Sequence, residues 1–263
     1  MRHKSSGQRL LAAQSPAALH YGGMRISVVV PVLDDARELV GCLDALRAQA
    51  RPADEIVVVD NGCTDDSAAV AVAAGARVVA EPVRGIPSAA AAGYDAVTGD
   101  VIARLDADSR PGPDWLERIG SAFAHDPELE ALTGPGEFIG LSGWRAAVAR
   151  ALYMDAYFFS VGAAMAHPPL FGSNLALRRS AWERVREGVD RTDPELHDDI
   201  DLSFQFGAAD RVVVDRSLSV GISARPFDDP VAMRRRFSRA FRTIFRNWRT
   251  KPPSQRWLER ARR

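Results

Sequence analysis

The sequence has few cysteines, no net charge and no long apolar run. Its 263 residues contain two cysteines, Cys42 and Cys63, whose spacing matches no metal-binding or redox motif. A reduced, cytoplasmic setting is therefore the simplest expectation. Acidic and basic residues are equal in number, 34 of each, so bulk charge predicts no nucleic-acid partner. No stretch reaches the roughly 18 apolar residues of a membrane-spanning helix, which predicts that no segment crosses a membrane.

The N-terminal segment lacks the features of a secretory signal. It is basic at its start, but no continuous apolar region follows. We expect residues 1–23 to form a disordered extension. Met24 directly precedes the first strand-like segment.

The first half of the chain alternates between apolar strand-like segments and helical patterns. Continuous apolar strands separated by helices are typical of a parallel sheet that is covered on both faces. In such sheets, ligands bind beyond the carboxyl ends of the strands. The pattern predicts strands at 25–31, 55–60, 77–80 and 100–105, and helices at 35–49, 65–75, 87–98 and 112–124.

Carboxylates follow three of the predicted strands. The first strand runs into Asp34 and Asp35, the second ends in the segment 60–66 (DNGCTDD), and the fourth is followed by Asp106 and Asp108. Each cluster alone could be a solvated turn. Together, at equivalent places in a parallel sheet, they predict an acidic pocket that accepts phosphate only with a cation between. Hard oxygen ligands of this kind suit a divalent metal ion.

The order and spacing of these segments resemble family 2 glycosyltransferases, which have the GT-A fold. In the second half, the segments 172–179 (GSNLALRR) and 197–203 (HDDIDLS) are similar to the family's acceptor-side strand and acidic helix start. The resemblance covers roughly residues 25–226. It implies an α/β fold with a Rossmann-like, mostly parallel sheet flanked by helices. A nucleotide-binding half (24–125) and an acceptor-binding half (126–226) would precede a C-terminal helical extension (227–263).

The resemblance also implies roles for individual residues on the donor side. Pro31 and Val32 would shape the base pocket, and Asp35 would lie near the base and ribose. Asp60 would accept a hydrogen bond from the base, most readily from uracil. Asp106 would lie near the ribose and the metal ion.

The metal and phosphate contacts follow from the same resemblance. Asp108 would bind Mg²⁺ or Mn²⁺ directly, with Asp106 beside it. The helix after the third strand reads SAAAAG and lacks the Arg and Asn that many members carry. Arg84 could approach a phosphate in their place, or could be a solvated loop cation. Arg225 could reach the diphosphate or could be structural.

Asp199 is implied as the catalytic base. Its acidic neighbours are expected to raise its pKa, which would suit a base. Asp198 is the alternative, and both could instead be acids that stabilise a helix N-terminus. His197 is a further candidate metal ligand or a simple surface residue. A base that activates the acceptor directly implies one displacement and inversion at the anomeric carbon, as in the family.

The expected function is a metal-dependent, inverting, hexosyltransferase-type glycosyltransferase. A UDP-sugar is the favoured donor, with a GDP-sugar as alternative, and the acceptor is a sugar, a lipid-linked molecule or a small molecule. A nucleotidyltransferase or a non-catalytic sugar-nucleotide-binding protein are the alternatives. A nucleotidyltransferase would want a glycine-rich phosphate loop after the first strand, and residues 31–35 (PVLDD) contain no glycine.

The C-terminal segment is basic and amphipathic. Residues 225–263 hold 13 Arg or Lys and three Asp or Glu, and residues 233–248 (MRRRFSRAFRTIFRNW) place aromatic side chains at helical spacing. Such a helix could make a peripheral contact with an anionic membrane, or could pack its apolar side on the domain. The aromatic segment 143–166 has the same two interpretations, core packing or contact with sugar or lipid.

Overall fold

The computed structural model of the protein describes residues 23–225 and 229–262. The expected disordered extension lies outside the described residues except for Gly23, so it stays a prediction. The division into donor half, acceptor half and C-terminal extension is also retained as a prediction.

Ten strands and ten α-helices are formed by the described residues. The strands are β1 (Ile26–Val32), β2 (Glu55–Asp60), β3 (Arg77–Ala80), β4 (Val101–Arg104), β5 (Arg110–Pro111), β6 (Leu129–Thr133), β7 (Gly136–Phe138), β8 (Leu175–Arg178), β9 (Arg211–Val214) and β10 (Val220–Ile222). The α-helices are α1 (Ala36–Arg47), α2 (Ser67–Ala73), α3 (Ile86–Ala96), α4 (Trp115–His125), α5 (Gly143–Ala149), α6 (Ala156–Met165), α7 (Arg179–Val185), α8 (Asp198–Gln205), α9 (Pro230–Thr250) and α10 (Pro253–Ala261).

A seven-stranded sheet with the order β3-β2-β1-β4-β8-β6-β9 forms the centre of the molecule. β3, β2, β1 and β4 are parallel, as the alternation of strands and helices predicts. β8 runs antiparallel to both β4 and β6, so the sheet is mixed in its second half. A smaller sheet with the order β5-β10-β7 lies beside it and was not predicted from the sequence.

The central strands are buried because apolar side chains cover both faces of the sheet. Every residue of β1 is buried. On one face, β1 packs in a cluster with Leu39 and Leu43 of α1 and Trp115 of α4. On the other, Tyr94 of α3 meets Trp182 of α7 edge to face, with ring centroids 5.0 Å apart. Each such buried apolar side chain stabilises the fold by about 1.5–3 kcal/mol, which explains why the apolar runs predicted the strands so well.

The aromatic segment of the second half forms α5, a π-helical turn (Arg150–Asp155) and α6. Parts of it pack in the core, as one of the two interpretations expected: Met154 is buried, and Tyr157 meets Phe171 edge to face. Phe159 is 80% exposed. The segment therefore has a packed side and an open apolar side.

The C-terminal helices pack on the rest of the domain. Thr243 of α9 accepts a hydrogen bond from the His197 amide at 2.9 Å, and Asn247 donates to Asp201 at 2.8 Å. The indole of Trp248 donates to the Ala164 carbonyl of α6 at 2.9 Å. The N-terminal end of α8 thus rests directly against α9. Of the helices in the described ranges, none combines the length and the apolar character needed to cross a membrane.

Candidate active site

The carboxyl ends of β1, β2 and β4 lie at one edge of the sheet. In the pairing register, Val32 lies opposite Asp60 and Val29 lies opposite Arg104. Asp106, two residues beyond Arg104, therefore follows β4 near the level at which β1 ends. The three acidic clusters of the sequence share this edge, as the parallel arrangement predicts.

Asp35 and Asp108 are held together by Arg225. The guanidinium donates two hydrogen bonds to Asp35, at 3.2 and 2.7 Å, and one to Asp108 at 2.8 Å. Burial and the charge of Asp106 raise the pKa of Asp108, and Arg225 opposes that rise. Arg225 itself has a raised pKa because it is bonded to both carboxylates. Arg225 therefore lies at the donor edge, beside the residues expected to bind the nucleotide and the metal ion.

Asp106 is joined to the second half of the chain. Its Oδ2 accepts a hydrogen bond from the Ser173 hydroxyl at 2.6 Å, and its Oδ1 accepts one from Arg104 at 3.0 Å. Arg104 also forms a short ion pair with Asp198 and is only 2% exposed. One buried guanidinium thus connects the D-x-D segment with the acidic start of α8.

Asp60 and Arg84 lie beside the end of β1. The carboxylate of Asp60 accepts the Cys63 amide at 2.8 Å, which closes the turn after β2. Buried Asn61 accepts the Gly85 amide at 2.8 Å and so holds the loop that carries Arg84. The Arg84 guanidinium is 3.5 Å from the carboxylate of Asp34. Pro31 and Val32 are buried at the end of β1, where the Val32 carbonyl accepts the Asn61 amide at 3.1 Å.

The same edge carries a second cluster with metal-ligand types. Asp34, Cys63 and Asp65 each place one candidate ligand atom within 4.8 Å of the others. Asp34, however, already accepts hydrogen bonds from the Thr64 amide at 2.6 Å and the Asp65 amide at 3.3 Å. These bonds give the three residues a structural role in the turn. Both cysteines are free thiols, and Cys42 is buried.

A divalent cation fits the Asp106–Asp108 pair chemically. Both side chains supply hard carboxylate oxygens, and a positive group, Arg225, already contacts Asp108 there. Asp108 would hold the ion directly and Asp106 would lie beside it. When bound, the ion would offset the charge that develops on a leaving diphosphate.

Asp199 lies at the start of α8 and is buried. Its Oδ2 accepts the Gly172 amide at 2.9 Å, and its Oδ1 lies 3.5 Å from Nδ1 of His197. Burial by itself raises the pKa of Asp199, but His197, Arg104 and the Gly172 amide outweigh burial and lower this pKa to about 2. The expectation that acidic neighbours raise the pKa of Asp199 is therefore wrong, because its cationic and amide partners lower that pKa.

Asp198 and His197 lie at the N-terminal end of α8, and their side chains have different partners. Burial raises the pKa of Asp198, and the Arg104 guanidinium opposes this rise. His197 uses both ring nitrogens within the protein: Nδ1 faces Asp199, and Nε2 lies 3.1 Å from the Arg236 carbonyl of α9. These contacts favour a positioning role for His197 over metal ligation.

Four residues of the site make contacts that were not predicted from the sequence. Arg104, Gly172 and Ser173 link the two halves, and Arg236 of α9 donates to the Tyr153 hydroxyl at 2.5 Å. A signal existed for Arg104, since a charged residue inside an apolar strand needs buried partners. Gly172 also had a reason to be glycine. A Cβ there would lie 3.0 Å from Arg104 Nη1 and 3.1 Å from Asp199 Oδ2.

The family model for glycosyl transferase family 2 matches residues 27–181, which is more than half of the chain. The chain belongs to glycosyl transferase family 2. The chain is 38% identical over 115 residues to an undecaprenyl-phosphate 4-deoxy-4-formamido-L-arabinose transferase of Sodalis glossinidius, covering 40% of this chain and 35% of that one.

A second relative is an uncharacterised glycosyltransferase of Mycobacterium tuberculosis, 43% identical over 86 residues that cover 33% of this chain and 38% of that protein. The matched region thus spans little more than a third of the length of these curated relatives.

Solved structures show that the chain has the GT-A fold. A mannosyltransferase of Pyrobaculum calidifontis, in complex with GDP-Man and Mn²⁺, matches with a TM-score of 0.68 and 22% identity over 91% of this chain and 69% of that one. Glucosyl-3-phosphoglycerate synthase of M. tuberculosis, in complex with Mn²⁺, UDP and glucosyl-3-phosphoglycerate, matches with a TM-score of 0.61 and 21% identity over 92% and 86% of the two chains. The predicted α/β architecture is confirmed.

Proposed function

We propose that this glycosyltransferase moves a hexose from a nucleoside-diphosphate donor to an acceptor hydroxyl, with inversion and with Asp199 as general base. A UDP-sugar is the favoured donor and a GDP-sugar the alternative. Mg²⁺ or Mn²⁺ would be the cofactor. The solved relatives support a divalent ion, since their complexes hold Mn²⁺ or Mg²⁺ with UDP, or Mn²⁺ with GDP-Man.

One observation carries the proposal: Arg104 bonds both Asp106 and Asp198. The D-x-D segment belongs to the donor edge, and Asp198 directly precedes the candidate base. A transfer reaction needs the leaving diphosphate and the attacking hydroxyl on either side of one anomeric carbon. The buried Arg104 guanidinium fixes the D-x-D segment, which would serve the diphosphate, relative to the start of α8, which would serve the hydroxyl.

The donor-edge residues would bind and orient the nucleotide. Asp60 and the end of β1 would face the base, and Asp35 and Asp106 the ribose. Arg84 and Arg225 are the guanidinium groups at this edge that could meet phosphate oxygens, for which arginine is well suited. The reaction would proceed by attack of the acceptor oxygen on the anomeric carbon as its bond to the diphosphate breaks.

Asp199 would take the proton of the acceptor hydroxyl. His197, Arg104 and the Gly172 amide lower its pKa, which keeps the carboxylate ionised throughout the neutral range and also makes it a weaker base than a free carboxylate. The Gly172 amide and His197 fix the direction of its oxygens. Their hold on Asp199 orients it for one acceptor position.

Of the three acceptor classes, namely sugars, lipid-linked molecules and small molecules, we favour a lipid-linked acceptor. A relative's name specifies undecaprenyl phosphate. Phe237, Phe241 and Phe245 form an aromatic stripe on α9, and each is more than half exposed. Arg236, just before this stripe, bonds Tyr153 and is close enough to Asp106 and Asp199 for both to raise its pKa. Peripheral contact of α9 with a membrane is part of this proposal.

Nucleotide titration tests the donor assignment. We expect UDP to bind in the presence of Mn²⁺ and to bind at least about tenfold more weakly in its absence. Asp108→Asn should remove this metal dependence, and Asp44→Asn, in an exposed pair on α1, should preserve it. GDP titrated in parallel decides between the two donor classes. Metal-independent binding of both nucleotides, or none, would contradict the proposal.

A further inference from the structure

Arg225 follows β10 and connects carboxylates from two distant parts of the chain. Asp35 lies 190 residues before it and Asp108 lies 117 residues before it. The hydrogen bonds to Asp35 are paired, one to each oxygen, while Nη2 also reaches Asp108. A guanidinium does not lose its charge in proteins, so this contact places a permanent cation between the two aspartates.

The Arg225 guanidinium offsets negative charge at the acidic edge of the sheet. Asp35 and Asp106 are near enough to Asp108 for the charges of both to act on its carboxylate. Asp106 has its own cation, Arg104, at 3.0 Å. Asp35 and Asp108 share Arg225. Positive charge at Asp108 is also what a bound divalent ion would provide, so the two cations compete for one carboxylate.

We propose that Arg225 is the counter-ion of the donor-free enzyme: it holds Asp108, leaves it when the divalent ion binds, and then pairs with the donor diphosphate. This inference rests on the proposed function, because it takes Asp108 as a metal ligand. The Arg225 side chain is 54% exposed, so its guanidinium can change partners without disturbing the core. Carboxylate and phosphate both match its planar, two-pronged donor geometry.

Coupled binding of metal and nucleotide is the consequence. A metal ion alone must displace Arg225 and leave it without one of its partners. A metal ion that arrives with a diphosphate offers Arg225 a new anion, so each ligand strengthens the binding of the other. The enzyme would then bind free metal ions weakly and the metal–nucleotide complex tightly.

The test measures Mn²⁺ binding to the nucleotide-free protein by electron paramagnetic resonance of the unbound ion. We expect Arg225→Met to bind Mn²⁺ about tenfold more tightly than wild type, because the competing ion pairs are gone. In saturating Mn²⁺, the same variant should bind UDP about tenfold more weakly. The Mn²⁺ and UDP affinities of Arg225→Lys should lie between those of wild type and those of Arg225→Met, since one ammonium cannot reproduce the paired bonds to Asp35.

Arg216→Met is the matched control. Arg216 lies nine residues earlier, is 77% exposed and pairs with Asp155 at 3.1 Å, away from the acidic edge. It should change neither affinity, and thermal unfolding of each variant verifies that the fold is intact. Unchanged or weaker Mn²⁺ binding by Arg225→Met overturns the inference.

Asp108→Asn separates the two proposals. If it binds Mn²⁺ and UDP as wild type does, the metal site of the proposed function is wrong. If it loses that binding while Arg225→Met leaves nucleotide-free Mn²⁺ affinity unchanged, only the role of Arg225 is wrong.

Discussion

Asp199 and Asp198 are adjacent, both are buried, and their partners differ. Asp199 is held by a backbone amide and His197, whereas Asp198 is paired with Arg104. We expect Asp199→Asn to retain Mn²⁺-dependent UDP binding and to lose transfer by about a hundredfold or more, since the amide cannot take a proton. Single-turnover assays with the accepted donor would measure this loss. Transfer near the wild-type rate would show that another group is the base.

Arg104 is the residue whose loss should cost most stability. Arg104→Met leaves Asp198 buried without its cation, and loss of one partner of a buried ion pair destabilises a protein by about 3–5 kcal/mol. The double variant Arg104→Met/Asp198→Asn should recover part of that free energy of unfolding, because the stranded charge is removed. Urea unfolding of wild type, Arg104→Met, Asp198→Asn and the double variant measures the coupling between the two side chains. Additive losses would mean that the pair does not interact as the geometry indicates.

At the scale of elements, His197 joins α8 to α9. Burial lowers the pKa of His197, but Asp199 and Asp198 outweigh burial and the opposing Arg236, so the net pKa is raised above its usual 6.5. The folded protein therefore binds this proton more tightly than the unfolded chain does. The resulting stabilisation is complete below about pH 6.5 and is lost as pH rises through the raised value.

Urea unfolding across this pH range should show that loss of stability in wild type. His197→Gln should remove the His197 contribution to it. His125→Gln, at an exposed histidine whose Nδ1 bonds to the Ser121 carbonyl of its own helix α4, is the control and should keep the wild-type dependence. A His197→Gln profile that falls as steeply as that of wild type would contradict the proposed link.

The elements of the donor half could be predicted because their signals are local. Continuous apolar runs specify β1, β2 and β4, and the carboxylates that follow them are adjacent in sequence. The antiparallel direction of β8 could not be predicted, because it depends on pairing with β4 and β6 rather than on local pattern. The partners of Asp199 were missed for a related reason. His197 is a neighbour in sequence, but Arg104 and Gly172 reach Asp199 only in the folded protein, and the three together lower its pKa.

At the scale of the whole molecule, α9 has two different sides. Glu195, Asp193 and Asp190 of the loop before α8 pair with four of its arginines, namely Arg235, Arg239, Arg242 and Arg246. Arg234 and Arg249 have no ion pair among residues 23–225 and 229–262. They lie on the same helical face as Phe237, Phe241 and Phe245. The packed side and the membrane-facing side expected from the sequence can therefore coexist.

Vesicle flotation tests the membrane contact. We expect the protein to float with vesicles that contain anionic phosphatidylglycerol and to remain behind with vesicles of phosphatidylcholine alone. Phe241→Ser/Phe245→Ser should reduce flotation several-fold, whereas Val72→Ser, at an exposed apolar position on α2, should not. Equal flotation by all three proteins would remove α9 from the proposal.

The long sequence separation between Arg225 and Asp35 also affects synthesis on the ribosome. A chain that has emerged only as far as β8 already carries every acidic side chain of the donor edge, but it lacks the guanidinium that joins Asp35 to Asp108. Contacts this distant in sequence form late in folding. The emerging polypeptide would therefore pass through a stage in which its aspartates repel one another, and that stage ends only when Arg225 leaves the exit tunnel.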